Sequence, residues 1–396
     1  MNMAIVVERA EALRVQVQEF CRNELPPELA DRAHRHQVMR KEDYAQWMKL
    51  LETKGWATGH WPEAWGGLDW TLLERFVFED TLAREGCPWI LPFGVKYVGP
   101  VIYAFGSDEQ KKRFLGPIKT TDEFWAQGYS EPGAGSDLVN VSTYAELDEP
   151  GENYVVNGQK VWTTYAHWAD WLFCLVRTSR DDKPQRCISF LLIDMKSPGV
   201  TVKPIETMDG YHHVNEVWLE DVKVPVANLI GEPNKGWTYA KYLLVNERTT
   251  GAVVGWARHA LDRLQQCVRQ DVPESRRAAL QEKVARFELR FLALEQGSYQ
   301  AVRAMMDGTE NGGEASYIKV RGPELYQEVM ETLVEALGMA GVARDLKTLH
   351  SAGMPPLGPD DAGGLIKDHL YNRAATIFGG SSEVQRNIVA KAVLGL

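Results

Sequence analysis

Apolar residues recur every three or four positions through the first part of the chain, as at Tyr44, Trp47, Met48, Leu50 and Leu51, the spacing of one helix face. Pro and Gly interrupt that period, so residues 1–118 read as a set of separate helices. From 119 to 228 the pattern shortens to runs rich in Val, Trp, Tyr, Ile and Phe: YVVNGQKVWTT, WLFCLVRT, CISFLLIDM, VTVKPI and VNEVWLEDVKVP. Turn signals such as RDDKP and KSPG separate these runs, which predicts a small β-domain. The helical period returns from 229, and the stretches 236–269 and 276–307 predict antiparallel bundle helices. Neither an internal repeat nor a low-complexity segment breaks this three-part texture, so the expected class is α+β.

At 396 residues the chain has room for two or three domains and a large core. A net charge of -10 argues against nucleic acid as a partner. The longest apolar runs, such as WLFCLV at 171–176, are strand-sized, so no membrane partner is expected. The N-terminal stretch carries acidic residues at helical spacing, unlike a signal peptide, and a cytoplasmic location is expected. Cys21, Cys87, Cys174, Cys187 and Cys267 are scattered without CxxC spacing, as expected for free thiols in a reducing compartment. His212 and His213 are adjacent, but no histidines show HExxH-like spacing, and no metal site is expected.

Two segments carry the candidate chemistry. WAQGYSEPGAGSD (125–137) is a short apolar run ending in a loop of small residues, where Gly133, Ala134, Gly135 and Ser136 let a ligand approach backbone N–H groups. NGQKVWTT (157–164) is a turn feeding a strand, with the flat indole of Trp162 and the hydroxyls of Thr163 and Thr164. A planar, polar-edged ring system fits such a pair; a plain turn and core packing are the bland alternatives.

With PEAWGG (62–67), GEPNKGW (231–237) and FGGSSEVQRNIVAKAVLGL (378–396), these segments make the whole chain resemble the acyl-CoA dehydrogenases. The resemblance implies an N-terminal helical domain (1–118), a middle β-barrel or sandwich on the flavin side (119–228) and a C-terminal four-helix bundle (229–396). It also implies the cofactor FAD, an acyl-CoA thioester as substrate and an electron-transfer flavoprotein as acceptor. In that family FAD takes a hydride from Cβ while a carboxylate removes the proton from Cα. Gln127, Tyr129 and Ser130 match a strand facing the flavin ring; Gly135 and Ser136 match the loop near the flavin and the CoA arm. Trp162 and Thr164 match the stacking and ring-edge positions, and Ser381 and Glu383 match flavin-side positions in the last segment.

The commonest place for the family's base falls here on Gly379, which has no carboxylate, although its backbone N–H can still bind the thioester oxygen. A second branch of the family puts the base one residue before an Arg on the first long C-terminal helix, which matches Glu247 followed by Arg248, a substrate-channel position. Ala240, Leu243, Leu244, Thr250, Gly251 and Val254 at helical spacing around Glu247 are apolar or small, and a surface Glu paired with Arg248 is the bland alternative. The family's Arg-x-x-Phe-Gly stretch is absent from CVRQDVPESRRAALQEKVARF (267–287), while the glycines of EALGMAG (335–341) survive. This asymmetry resembles the base-bearing subunit of bacterial α2β2 acyl-CoA dehydrogenases of steroid side-chain or pimeloyl-CoA type. A flavin monooxygenase or oxidase of the same fold, and a non-catalytic structural subunit, are the competing readings.

Overall fold

The computed structural model describes residues 3–247, 252–310, 312–343 and 358–396. In chain order its principal elements are α1 (Met3–Asn23), α2 (Pro27–His34), α3 (Lys41–Glu52), α4 (Leu72–Arg84), α5 (Gly99–Phe105) and α6 (Asp108–Lys119). The strands follow: β1 (Trp125–Gly128), β2 (Tyr144–Leu147), β3 (Asn153–Thr164), β4 (Trp171–Arg177), β5 (Ile188–Asp194), β6 (Val200–Ile205) and β7 (Val214–Pro225). Then come α7 (Gly236–Glu247), α8 (Ala252–Gln270), α9 (Glu274–Asp307), α10 (Glu314–Leu337) and shorter C-terminal helices. They form two compact units, one of residues 1–47, 69–89 and 248–396, the other of 48–68 and 90–247.

In the first unit α1 buries Val6, Ala10, Leu13, Val17 and Phe20, spaced four and three apart, on one stripe. α4 starts at a capping box in which Thr71 and Glu74 satisfy each other's backbone N–H, and nearly all of its residues are buried. Around it α8, α9 and α10 share a core that includes Val254, Leu261, Leu264, Phe291, Val329 and Leu333. Each such side chain contributes about 1.5–3 kcal/mol when removed from water. Pro273 ends the α8–α9 connection by capping α9. The expected helix at 236–269 is present as α7 and α8, with 248–251 outside the described residues.

At Gly255 the backbones of α8 and α4 nearly touch: a Cβ there would lie 2.4 Å from the Asp80 carbonyl oxygen and 2.6 Å from Ala83 Cβ. Gly255→Ala is expected to cost about 1–3 kcal/mol by overpacking. The urea midpoint should fall accordingly, and an unchanged midpoint would show that the two helices separate freely.

The second unit is built on a seven-stranded sheet, counted among the described residues, of order β1-β4-β2-β3-β7-β6, with β5 also pairing β4. β1 runs parallel to β4, placing Trp125 opposite Trp171 in a stacked pair that Phe114 of α6 meets edge-on. The antiparallel partners β3 and β7 form the long ladder of the sheet. Val156, Leu172, Cys174, Val176, Leu191, Ile193 and Val217 are fully buried between its layers. Among the described residues no helix is long and apolar enough to cross a membrane.

Candidate functional site

Glu131 and Ala134 exchange two backbone hydrogen bonds of 3.0 Å, closing a tight turn across Pro132 and Gly133. Proline presets the backbone at the first central position of such a turn. Neither Gly133 nor Gly135 has positive φ, and a Cβ on either would meet nothing within 4 Å. Their glycines are therefore required neither by the turn nor by chain packing, and both, with Ser136, are exposed. The space that a side chain would fill is left open to a ligand.

β3 supplies the other half. Tyr154, Val156 and Lys160 lie on its inward phase and are buried. Continued by twos, that phase would bury Trp162. A bulge between Lys160 and Thr163 shifts the register against β7, so Thr163 turns inward at 1% exposure and Trp162 turns outward at 59%. Trp162 holds φ at 60°, a left-handed conformation that is costly for so large a residue. Strain and an exposed indole at one position mark a surface shaped for something other than the core. Beneath it, Thr163 Oγ1 is buried and finds no hydrogen-bond partner among the described residues.

Turn and bulge are joined at their roots. Val161 N–H donates to the Ser130 carbonyl at 2.9 Å. Lys160, with no exposure, donates from Nζ to Glu131 Oε1 at 2.6 Å and to the Leu175 carbonyl at 2.7 Å. Glu131 also accepts from the N–H and hydroxyl of Ser142 and from Thr143 N–H. Burial opposes the Glu131 charge, but Lys160 and these donors outweigh it and hold the carboxyl down to about 2.

This ion pair is what sequence reasoning missed. Its signal was present: a lysine in phase with Tyr154 and Val156 on a strand must either disrupt the core or meet a buried acid.

Gln127 lies on β1 opposite Phe173, half-buried. The Tyr129 ring is packed edge-on against Phe173 and Phe190, so what that residue offers a ligand is backbone. Ser130 and Thr164 are half-buried, Thr164 opposite Val214 at the end of β3. The sheet therefore gathers Gln127, Ser130, Trp162 and Thr164 around one turn-and-bulge unit. The segment after Thr164 lines a recess of about 320 Å³ with His167, His212 and Asn215. His213 is a structural residue, bonded through Nε2 to Asp209 at 2.7 Å.

The remaining candidates stand on other elements. Glu247 is the last residue of α7, where Ala240 and Leu243 are buried. The Glu247 side chain and Arg248 lie outside the described residues. In the helical unit, Gly379 and Gly380 adopt φ of 64° and 89°, and Ser381 caps the helix Ser382–Val389 by accepting from Val384 N–H. Glu383 is exposed in the first turn of that helix, where its own backbone N–H and Ser381 hold its carboxyl below the ordinary range.

Three domain families cover nearly the whole chain: "Acyl-CoA dehydrogenase, N-terminal domain" matches 7–122, "middle domain" 126–222 and "C-terminal domain" 234–394. The chain belongs to the acyl-CoA dehydrogenase family. Acyl-CoA dehydrogenase IpdE1 of Mycolicibacterium smegmatis is 35% identical over 370 residues, 90% of this chain and 88% of its own. Acyl-CoA dehydrogenase FadE26 of Mycobacterium tuberculosis is 32% identical, over 89% of this chain and 88% of its own. Among solved structures, the "Tcur3481-Tcur3483 steroid ACAD" superposes with a TM-score of 0.83 at 28% identity, over 99% of this chain and 98% of that one. The ChsE4-ChsE5 complex from Mycobacterium tuberculosis gives 0.81 at 30% identity, over 98% and 97%. Membership makes this chain an oxidoreductase of the acyl-CoA dehydrogenase type, with the order of helical, β and helical domains that its resemblance implied, the middle one being a curled sheet.

Proposed function

We propose that this chain is the base-bearing, FAD-binding subunit of a two-component acyl-CoA dehydrogenase that forms 2,3-enoyl-CoA thioesters. The reading rests above all on the β3 bulge, which turns Trp162 outward next to the root of the open Gly133–Ser136 turn. Bound FAD supplies the acceptor for the substrate's β-hydride. The Trp162 indole offers a stacking face, Thr164 and the Gln127–Ser130 backbone offer hydrogen bonds to a ring edge, and Gly135 and Ser136 admit a close approach. Ser381 and Glu383 are assigned to the flavin side as well. Glu247 is assigned the α-proton, Arg248 the substrate channel, and the Gly379 N–H the thioester oxygen as charge develops on it.

Two observations support a second subunit. The α8–α9 junction is a proline-capped break where a cross-subunit Arg-x-x-Phe-Gly stretch would run. The solved relatives include a two-component complex and a pair described as a steroid ACAD, which favours a bulky CoA thioester as substrate. An electron-transfer flavoprotein is the acceptor in this reading.

The test is FAD per chain, measured by absorbance and native mass for the protein alone and co-purified with a second acyl-CoA dehydrogenase-like subunit. The expected result is substoichiometric flavin alone and one FAD per heterodimer. One FAD per chain in a stable homo-oligomer overturns the two-component assignment, and absence of flavin from both preparations overturns the cofactor assignment.

Trp162→Gly separates the ligand role from packing. Removing an exposed side chain and relieving a positive φ should leave stability within about 0.5 kcal/mol. FAD affinity should fall about tenfold, the loss of roughly 1.4 kcal/mol of stacking. Unchanged FAD affinity would place the indole away from the flavin.

A further inference from the structure

The C-terminal part of α1 and the segment that follows α4 meet within the helical unit at two cysteines. Cys21 Sγ and Cys87 Sγ lie 3.2 Å apart although 66 positions separate them in sequence. Cys21 is half-buried, whereas Cys87 is 8% exposed. We propose that Cys21 and Cys87 form an oxidation site that closes to a reversible disulfide when the protein meets a peroxide-class oxidant. Neither thiol has a place in the dehydrogenation chemistry.

The two sulfurs have unequal roles. The contact with Cys21, and then burial, push the Cys87 thiol well above its ordinary range, so Cys87 stays protonated. Cys21 is the more open of the two and reacts first. Its thiolate attacks one oxygen of hydrogen peroxide, the O–O bond breaks, and Cys21 becomes a sulfenic acid as water leaves. Cys87 sulfur then displaces the hydroxyl from Cys21 sulfur; the S–S bond forms, the Cys87 proton is lost, and a second water leaves. Two thiols and one peroxide thus give one disulfide and two waters. The sulfurs must close by only about 1.2 Å to reach a disulfide bond length of about 2.05 Å, within the reach of side-chain rotation.

The cross-link would tie the end of α1 to the chain just past α4. It closes a long loop, which restricts the unfolded chain more than the folded one. A dithiol reductant returns both residues to thiols, so the modification is switchable by compartment redox state.

The experiment treats the full-length protein with a small excess of hydrogen peroxide, blocks remaining thiols with N-ethylmaleimide and digests with trypsin. The expected result is loss of two of the five thiols per chain. The peptides 15–22 and 85–96 should be joined, two hydrogens lighter than their sum, and released by dithiothreitol. The melting temperature of the oxidised protein should rise by roughly 5 °C. In Cys87→Ser, Cys21 should instead retain added oxygen, with no joined peptide and no rise in melting temperature. Five surviving thiols, or a wild-type Cys21 peptide that carries oxygen without the link, would overturn the proposal.

Discussion

Glu247→Gln should reduce acyl-CoA-dependent flavin reduction by at least about 10²-fold while leaving FAD content and substrate affinity nearly unchanged. General base catalysis contributes ~10²–10⁴ to a rate, and Gln keeps the size and polarity of Glu but accepts no proton. The residue closes α7, a helix whose Ala240 and Leu243 are buried, and is followed directly by an arginine. A second readout isolates the proton step: exchange of the substrate α-hydrogen with solvent deuterium should be lost in parallel with turnover. Near-normal turnover in the intact assembly would remove Glu247 from the mechanism and return the base to an unassigned carboxylate.

Lys160→Met should destabilise the β-unit strongly. It leaves Glu131 as an uncompensated buried carboxylate, a lesion of about 3–5 kcal/mol. Changing Glu131 to Gln at the same time removes the stranded charge, and the double variant should regain much of the lost stability. FAD affinity is expected to recover less than stability, because the pair also fixes the 131–134 turn against β3 and β4. Full recovery of both would make the pair a stabiliser with no hold on the turn.

The same pair sets an acid limit. The folded Glu131 carboxyl is depressed to about 2 from an ordinary 4.5, so its contribution is fully present above pH about 4.5 and drains away as pH falls toward 2. Acid unfolding of wild type should therefore be steep in that window. In Glu131→Gln the slope should be shallower, as read by tryptophan fluorescence.

Most strands were legible because they are short runs rich in β-branched and aromatic residues set between turn signals: the runs VTVKPI and VNEVWLEDVKVP coincide with β6 and β7. β2 escaped because only Ala145 of its four residues is buried, with Tyr144 and Leu147 exposed, which leaves no periodic signal. The site was legible as motifs but not as geometry. An outward Trp162 contradicts the period-two phase of its own strand, and only pairing with β7 reveals the extra residue that turns it. Parallel pairing of β1 with β4 joins segments far apart in sequence, so local pattern cannot foretell it. Glu247 and Arg248 were read by family position; the described residues add the helix that Glu247 ends but not its side chain, and Arg248 lies outside them.

The helical unit is assembled from residues 1–47, 69–89 and 248–396, whereas the β-unit is complete at residue 247. On the ribosome the order of assembly is therefore set by the chain itself. The sheet has all of its strands while roughly 150 residues remain to be made, about 7–30 s of synthesis. During that interval α1 and α4, which pack on each other, hold Ala10, Phe76 and Val77 toward a core whose largest helices do not yet exist. The apolar residues that α1 and α4 lend to this core are thus made early and covered late, once α8, α9 and α10 emerge.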